Sequence, residues 1–359
     1  MPLLDSRRIW FVGIGGAGLS SYAVVSAAWG AEVGGWDRVE TPYLAYVRAA
    51  GIPVTIAPDP PEPPSGAEVV VSTAFAGRVE GKSRADFLAE LVSLRDAIVV
   101  AGAHGKTTTA AMIAFCLDRL GLDPAFLIGG EVPQLRGNAR AGEGWLVVEG
   151  DESDRTVAAL RPQVAVLTNV DLDHHTTFAS PAEVEDLFER WLEHVPHVVR
   201  GGELEPADVP LAVPGEHNRL NAACALAALE LVGVARTDAA PVLGEFRGVR
   251  RRLELRGELD GAHVYDDYSH HPTEITAALA ALREGTTDGR LLVLFQPHLF
   301  SRTRHVAHEF AGALAAADAV CVTDVYPARE QPLEGVSGKL VVDAVTERRP
   351  GMTVAWTPT

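Results

Sequence analysis

The chain has 359 residues, too many for one ordinary domain, and its 47% hydrophobic and 22% charged residues indicate a globular protein with more than one core. Its 48 acidic and 31 basic side chains give a formal net charge of −17, which disfavours a general nucleic-acid binder or an anionic-membrane binder, since both need a basic surface. Three widely separated cysteines in apolar segments indicate buried thiols in a reducing compartment, and no apolar run is long enough to span a membrane.

The first predicted unit begins with a strand, a glycine-rich turn and a helix. Residues 9–12 predict the strand, 13–18 read Gly-Ile-Gly-Gly-Ala-Gly, and the helix is expected over 19–29. A second predicted strand ends at Asp37, about where a dinucleotide-binding fold places the carboxylate that binds a ribose. Taken alone, the pattern favours binding of NAD, although any nucleotide diphosphate can bind to the same kind of turn.

A second glycine turn follows the apolar strand predicted at 97–101. It reads Gly-Ala-His-Gly-Lys-Thr-Thr-Thr over 102–109 and precedes an apolar helical segment. In such a turn the backbone N–H groups and the helix N-terminus face phosphates, Lys106 reaches the terminal phosphate oxygens and Thr107 can hold magnesium. Val100 stands where the usual phosphate loop has its first glycine, so an ordinary glycine turn before a helix is the alternative.

Carboxylates and histidines follow two further strands of this second unit. The strand at 145–149 leads into Glu-Gly-Asp-Glu-Ser-Asp at 149–154, and the strand at 164–169 is followed by Asp-Leu-Asp-His-His at 171–175. Downstream of a phosphate loop these groups suit magnesium and phosphate chemistry, with solvated strand-end loops as the alternative. Residues 238–244 are expected to be a linker.

The remaining sequence repeats the order of strand, polar cluster and helix. A basic run at 250–252 is followed by predicted strands at 291–295, 319–323 and 352–356. Because open α/β sheets bind ligands at the carboxyl ends of their strands, the polar clusters are expected at one ligand-binding edge. The sequence therefore predicts an α/β fold in three domains, at residues 1–95, 96–240 and 241–359.

Read together, these motifs resemble the Mur ligases, which are ATP-dependent amide-forming ligases of cell-wall synthesis. The matching motifs lie in order at 13–20, 102–109, 149–154, 173–174, 215–218, 266–274, 295–298 and 324–330. The resemblance covers nearly the whole chain. It implies a Rossmann-like UDP-binding domain, a central P-loop ATPase-like domain and a Rossmann-like C-terminal domain. The family's last strand-and-helix units find no match after Thr359, so the C-terminal domain is expected to be shortened.

The resemblance also implies a reaction, in which ATP phosphorylates the carboxylate of UDP-N-acetylmuramate and the amine of L-alanine then displaces phosphate from the acyl phosphate. The residues implied to be catalytic are Lys106, Glu152, His174, Arg252 and His270. Those implied to hold Mg²⁺ are Thr107, Glu152 and His174. Lysine and magnesium neutralise the charge that gathers on a transferred phosphoryl group.

Three sets of binding residues follow from the same resemblance. ATP is expected to contact Gly102, Ala103, His104, Gly105, Lys106, Thr107, Thr108, His217, Asn218 and Arg252. UDP-N-acetylmuramate is expected to contact Gly15, Gly16, Ala17, Gly18, Ser20 and Asp37. His298 and Arg302 are expected to face the carboxylate of L-alanine, a task that suits the planar guanidinium.

Other functions stay open on the sequence. One is a murein-peptide recycling ligase of the same family, which joins a tripeptide to the same nucleotide sugar, and another is a catalytically weakened UDP-sugar-binding homologue. An NAD dehydrogenase is least favoured, because the second phosphate loop would then have no role. The expected protein is a cytoplasmic monomer or homodimer with no nucleic-acid partner and no membrane insertion.

Overall fold

The structure is a computed structural model that describes residues 3–174, 177–285, 289–328 and 330–358, so His175 and Arg329 of the quoted motifs lie outside the described residues. Within these ranges the chain folds into three successive α/β units, which confirms the predicted fold class. No helix of the described ranges is both long and apolar enough to cross a bilayer.

The first unit is a parallel sheet of strand order β3-β2-β1-β4-β5. Its strands are β1 (Arg8–Val12), β2 (Glu32–Asp37), β3 (Val54–Ile56), β4 (Glu68–Val71) and β5 (Lys82–Ser83). Its helices are α1 (Ala17–Ala28), α2 (Leu44–Ala49) and α3 (Arg84–Ser93). Since β1 lies between β2 and β4, the glycine turn after β1 opens at the point where the strand order reverses, which is where such sheets bind ligands.

The middle unit is a sheet of order β11-β10-β6-β9-β7-β8, parallel except for the β7–β8 pair. Its strands are β6 (Ala97–Ala101), β7 (Ala125–Val132), β8 (Gly137–Arg140), β9 (Leu146–Glu149), β10 (Val164–Leu167) and β11 (His197–Arg200). Its helices are α4 (Lys106–Arg119), α5 (Pro181–Leu192), α6 (Glu216–Leu231) and α7 (Arg236–Leu243). Every residue of β6 is buried, and its neighbours are β9 and β10, so the polar segments after these three strands meet at one edge.

The linker predicted at 238–244 is wrong, because most of these residues belong to α7. Ala239 and Leu243 are fully buried, and they pack into the core of the middle unit together with Phe246 and Val249. Pro241 favoured a loop, yet it lies inside the helix. Burial of one apolar face outweighs the local propensity here, so the middle core extends past residue 240.

The third unit holds a hairpin and a small parallel sheet of order β14-β15-β16. Its strands are β12 (Glu254–Leu259), β13 (Ala262–Asp266), β14 (Leu292–Phe295), β15 (Ala319–Thr323) and β16 (Thr353–Thr357). Its helices are α8 (Pro272–Glu284), α9 (Phe300–Leu314) and α10 (Gly338–Arg348). Among the described residues no strand pairs with the outer edge of β14, and a cavity of about 910 Å³ lies between β13 and β14.

The units are joined in two different ways. The first and middle units share one continuous cluster of buried apolar side chains, which runs from Phe11 and Phe87 to Val99 and Val148. The third unit has a separate apolar core around Phe310. Its junction with the middle unit contains the histidines, carboxylates and arginine of the candidate site.

Candidate active site

The first glycine turn is held in shape by Asp37. The Gly15 N–H donates to Asp37 Oδ2 at 2.8 Å, and the Arg38 N–H donates to Oδ1 at 2.7 Å. The Thr41 hydroxyl donates to the Gly15 carbonyl at 2.8 Å, and a Cβ added at Gly15 would lie only 2.9 Å from Asp37 Oδ2. The buried carboxylate therefore orders the turn directly before the N-terminus of α1, a place that favours a diphosphate.

Arg84 covers this turn from the side, and sequence reasoning missed it. A Cβ added at Gly18 would lie 3.1 Å from Arg84 Nε, while the guanidinium is 3.4 Å from Asp154 and 3.7 Å from Asp151. Ser20 lies in the same first turns of α1 and donates to the Ala17 carbonyl. Arg84 thus links the first turn to the acidic segment after β9. Nothing in the local pattern marks it, because its partners lie far along the chain.

The second glycine turn wraps around the ammonium of Lys106. The ammonium donates to two turn carbonyls and one carboxylate: Gly102 O at 2.5 Å, Ala103 O at 3.1 Å and Glu152 Oε2 at 3.0 Å. Burial by itself would lower the pKa of Lys106, but the charges of Glu152 and Asp151 raise it, so the side chain stays a cation. Gly105 has φ +81°, and a Cβ there would lie 2.3 Å from the Asn221 amide oxygen, so the turn requires glycine.

Carboxylate oxygens contact Thr107 and its neighbour Lys106 at the start of α4. The Thr107 hydroxyl donates to Glu149 Oε2 at 3.0 Å, and Glu152 Oε1 lies 3.4 Å from His174 Nε2. Burial raises the pKa of Glu149. Hydroxyl and carboxylate oxygens are the ligands that Mg²⁺ prefers, so Thr107 and Glu152 fit this ion, with His174 beside them. Glu149, the last residue of β9 and the first of the acidic motif at 149–154, contacts Thr107 although it is not among the predicted Mg²⁺ ligands.

A cavity of about 410 Å³ opens beside the phosphate turn, between the middle and third units. The predicted ATP-binding residues that line it are His104, Gly105, Thr107, Thr108, His217, Asn218 and Arg252. Gly102, Ala103 and Lys106 belong to the same turn through the lysine hydrogen bonds. Burial lowers the pKa of His217, which favours the neutral ring. The structure therefore brings the predicted ATP residues together around one cavity.

The third unit contributes Arg252 and His270 to this junction through Glu274. The Arg252 guanidinium donates to Glu274 Oε1 at 3.4 Å, and the backbone N–H of His270 donates to Glu274 Oε2 at 3.1 Å. The His270 ring lies 3.8 Å from Asp173 of the middle unit. Burial lowers the pKa of His270. Arg252 thus lines the nucleotide cavity, whereas His270, held by the same carboxylate of α8, lines the cavity between β13 and β14.

Arg302 is buried and contacts a carboxylate of the middle unit. Its Nε and Nη2 lie 2.8 and 2.6 Å from the same oxygen of Asp173, and its Nη1 donates to His298 Nδ1 at 3.0 Å. The side chains of Arg302 and Asp173 are 2% and 6% exposed. Burial, together with the charges of His270 and Arg302, lowers the pKa of His298 to about 4. The two residues predicted to face alanine therefore lie together, with the guanidinium bound to Asp173.

A histidine of the phosphate turn also reaches across the junction. His104 Nε2 lies 3.2 Å from Asp171 Oδ2, and its Nδ1 lies 3.4 Å from Glu274 Oε1. The Thr273 hydroxyl donates to Asp171 Oδ2 at 2.9 Å. Burial alone would lower the pKa of His104, but hydrogen bonds to Asp171 and Glu274 raise it to about 9. The phosphate turn and α8 are therefore joined by a charged contact between His104 and Glu274, and the Thr273 hydroxyl bonds α8 to Asp171.

Comparison with protein families matches the chain in three consecutive segments. Residues 8–95 match the Mur ligase family catalytic domain, 100–200 the Mur ligase middle domain, and 251–358 the Mur ligase glutamate ligase domain.

Curated relatives and solved structures agree with these family matches. The UDP-N-acetylmuramate–L-alanine ligase of Rubrobacter xylanophilus is 39% identical, with 98% of this chain and 91% of the relative covered. The enzyme of the same name from Streptomyces coelicolor is 40% identical, with 94% and 87% covered. The crystal structure of UDP-N-acetylmuramate–alanine ligase from Thermotoga maritima matches with a TM-score of 0.81 at 27% identity, covering 98% of this chain and 90% of that one. A murein peptide ligase structure from Psychrobacter arcticus matches with a TM-score of 0.66 at 24% identity, covering 99% of this chain and 91% of that one. At this identity the second structure shows a likeness of fold alone.

Proposed function

Because this chain belongs to the Mur ligase family, we propose that it joins L-alanine to the carboxylate of UDP-N-acetylmuramate at the expense of ATP, a step of peptidoglycan synthesis. The observation that carries the proposal is the cavity beside the phosphate turn. Thr107 of the middle unit and Arg252 of the third unit both line it, and Lys106, which pairs with Glu152, lies directly before Thr107 in the phosphate turn. This arrangement supports an ATP site that is complete only when the two units meet.

UDP-N-acetylmuramate is assigned to the first glycine turn. The turn N–H groups and the N-terminus of α1 suit its diphosphate, and Gly16 leaves room for close backbone approach. Asp37 keeps the turn in shape through Gly15 and stands at the position of a ribose-binding carboxylate. Since the first and middle units share an apolar core, the position of this site relative to the phosphate turn is fixed.

Phosphoryl transfer is assigned to the second glycine turn. Lys106 neutralises charge on the transferred group, and Arg252 adds a second positive charge from the third unit. Thr107, Glu152 and His174 would hold Mg²⁺, which supplies further charge neutralisation on the phosphates. The product of this step is an acyl phosphate, whose carbonyl carbon is open to attack by an amine.

Binding of L-alanine is assigned to His298 and Arg302. The carboxylate of the amino acid has the same chemistry as that of Asp173, which Arg302 already binds, so the two carboxylates compete for one guanidinium. His298 has a depressed pKa and is neutral near pH 7, so it accepts the Arg302 hydrogen bond and leaves that charge free to hold an anion. Loss of phosphate from the tetrahedral intermediate completes the amide.

The recycling ligase is the nearest competing function. The relatives that are 39–40% identical are named for L-alanine addition, whereas the likeness to a murein peptide ligase at 24% identity concerns the fold. The names of these relatives therefore favour the small amino acid over the tripeptide as the substrate.

The proposal is tested by phosphate release with UDP-N-acetylmuramate and ATP, to which L-alanine, glycine, L-serine and the recycled tripeptide are added separately. Release should be fastest with L-alanine. Release with the tripeptide alone would replace the proposal with the recycling function. Binding of the nucleotide sugar without release in any mixture would identify a weakened homologue.

A further inference from the structure

Two histidines and one aspartate from three separate segments meet at the junction of the middle and third units. His104 comes from the phosphate turn, Asp171 from the segment after β10, and His271 from the residue before α8. His104 Nε2 lies 3.2 Å and His271 Nδ1 lies 3.7 Å from Asp171 Oδ2, and one donor atom from each residue lies within 4.8 Å of the others. The two imidazole rings face each other at 4.9 Å between centroids.

These spacings suit a tetrahedral transition-metal ion. Zinc bonds to imidazole nitrogen and carboxylate oxygen of about 2.0–2.2 Å place neighbouring donors about 3.3 Å apart. The observed 3.2 and 3.7 Å separations from Asp171 therefore require little movement of the side chains. Two imidazoles and a carboxylate are ligands typical of zinc and related ions, in contrast to the oxygen-rich set around Thr107.

The surroundings of the cluster also fit a metal site. A histidine that ligates a metal usually gives its other ring N–H to a carboxylate, which fixes the tautomer. His104 Nδ1 is buried without a hydrogen bond and lies 3.4 Å from Glu274 Oε1, so a small shift lets Glu274 accept the Nδ1–H and leaves the Nε2 lone pair for the ion. The Thr273 hydroxyl orients Asp171. The His104 and His271 side chains are 12% and 8% exposed, whereas Asp171 is 36% exposed, so the two imidazoles are buried and an ion can enter beside the carboxylate.

We propose that His104, Asp171 and His271 form a binding site for a borderline divalent transition-metal ion of the Zn²⁺ class, separate from the Mg²⁺ ligands of the ATP site. The three protein ligands leave a fourth position open, and His104 and Asp171 both line the nucleotide cavity. A bound ion fastens α8 of the third unit to the phosphate turn of the middle unit. Filling the site therefore favours the closed arrangement of the two units.

The competing explanation is that a proton occupies this position. His104 would then be an imidazolium held between Asp171 and Glu274, and no metal would bind tightly. His271 would serve only as the cap of α8, since its Nδ1 accepts the Thr273 N–H at 3.4 Å, a long hydrogen bond. A variant that keeps the cap and removes the imidazole separates the two explanations.

The test titrates the full chain, stripped with a chelator, with Co²⁺ as a visible probe and then with Zn²⁺ against a chromophoric chelator. One Co²⁺ with a tetrahedral absorption band should bind and be displaced by one Zn²⁺. His271→Asn keeps a good cap residue and should weaken Zn²⁺ binding at least about a hundredfold, while Glu274→Gln should weaken it about ten- to a hundredfold. The exposed His308 of α9 supplies the matched control, because His308→Asn should leave the affinity unchanged.

Two results would overturn the proposal. One is Zn²⁺ binding by the parent chain that is no tighter than by His271→Asn, with both proteins showing equal thermal unfolding in chelator. The other is tight binding that survives His271→Asn but is lost in His174→Asn, which would place the ion on the Mg²⁺ ligands. Tight binding that survives His174→Asn and raises the unfolding temperature of the parent chain alone would support it.

Discussion

The two interfaces that join the three units differ in chemistry. Between the first and middle units, buried apolar side chains such as Phe87 and Val99 belong to one continuous cluster. Between the middle and third units, the contacts include the buried Arg302–Asp173 ion pair and the approach of His104 to Glu274. One interface resembles the inside of a domain, and the other resembles a binding site.

This difference has a thermodynamic meaning. Apolar surface removed from water stabilises by about 25 cal/mol per Å², and no ligand of this protein can take its place. A buried ion pair contributes little net free energy, because the Coulomb attraction is offset by the loss of hydration. A ligand carboxylate or phosphate can substitute for one partner of such a pair. The first and middle units therefore form one platform, and the third unit is held by contacts that substrates can replace.

The largest expected effect comes from removing Lys106, the cation of the phosphate turn. Lys106→Ala should lower turnover at least about a hundredfold, because the charge acts mainly as phosphoryl transfer proceeds. Binding of UDP-N-acetylmuramate, measured by calorimetry, should survive, since its site lies on the first unit. Lys339→Ala on the surface of α10, where the lysine pairs with Asp343, is the matched control. Turnover that persists in Lys106→Ala would refute the assignment of the turn.

The second-largest expected effect comes from removing Arg302, which belongs to the polar interface. Arg302→Ala should raise the apparent KM for L-alanine far more than that for ATP. It also leaves Asp173 buried without its partner, which costs about 3–5 kcal/mol and should appear as easier opening of the third unit. Arg304→Ala, at an exposed position of the same helix, is the control for steady-state kinetics. An equal rise in both KM values would mean that Arg302 positions the unit and does not select the amino acid.

A smaller effect is expected from a change in the first unit, which the apolar interface joins to the middle unit. Gly16→Val places a side chain on the turn, where even a Cβ would lie 3.3 Å from the Gly13 carbonyl. It should weaken UDP-N-acetylmuramate binding and leave ATP binding nearly unchanged, as measured by calorimetry of each ligand. Gly312→Val, at an exposed position of α9 where a Cβ meets nothing within 4 Å, is the control. Binding of NADH to the parent chain would contradict the family assignment of this turn.

The smallest effect is a pH dependence confined to the polar interface. His104 faces Asp171, Glu274 and His271, and its pKa is raised from 6.5 to about 9. The stabilisation that protonated His104 gives to the polar interface is therefore fully present below pH 6.5 and is lost as the pH rises through about 9. In metal-free buffer the third unit should open more readily at pH 9.5 than at pH 7, as followed by limited proteolysis. The change should vanish in His104→Gln, and an unchanged pH dependence in that variant would rule out His104 as its origin.

The sequence predicted the parts of the site that are local in the chain. Buried strands followed by glycine turns, such as the one before Lys106, carry their pattern within about a dozen residues. The sequence did not reveal the contacts that join distant segments, since Arg84 and Asp154 are 70 residues apart and Arg302 and Asp173 are 129 residues apart. It also mistook α7 for a linker, because packing against the middle core decides that helix and its own residues do not.

The central claim, that an apolar interface fixes two units and a polar one releases the third, is tested most directly by hydrogen exchange of the whole chain. The account predicts that amides of β1 and β6 exchange at one slow rate, while those of α8 and α9 exchange faster. It also predicts that UDP-N-acetylmuramate and ATP together slow α8 and α9 most strongly. Equal protection of all three units, unchanged by these ligands, would contradict the account.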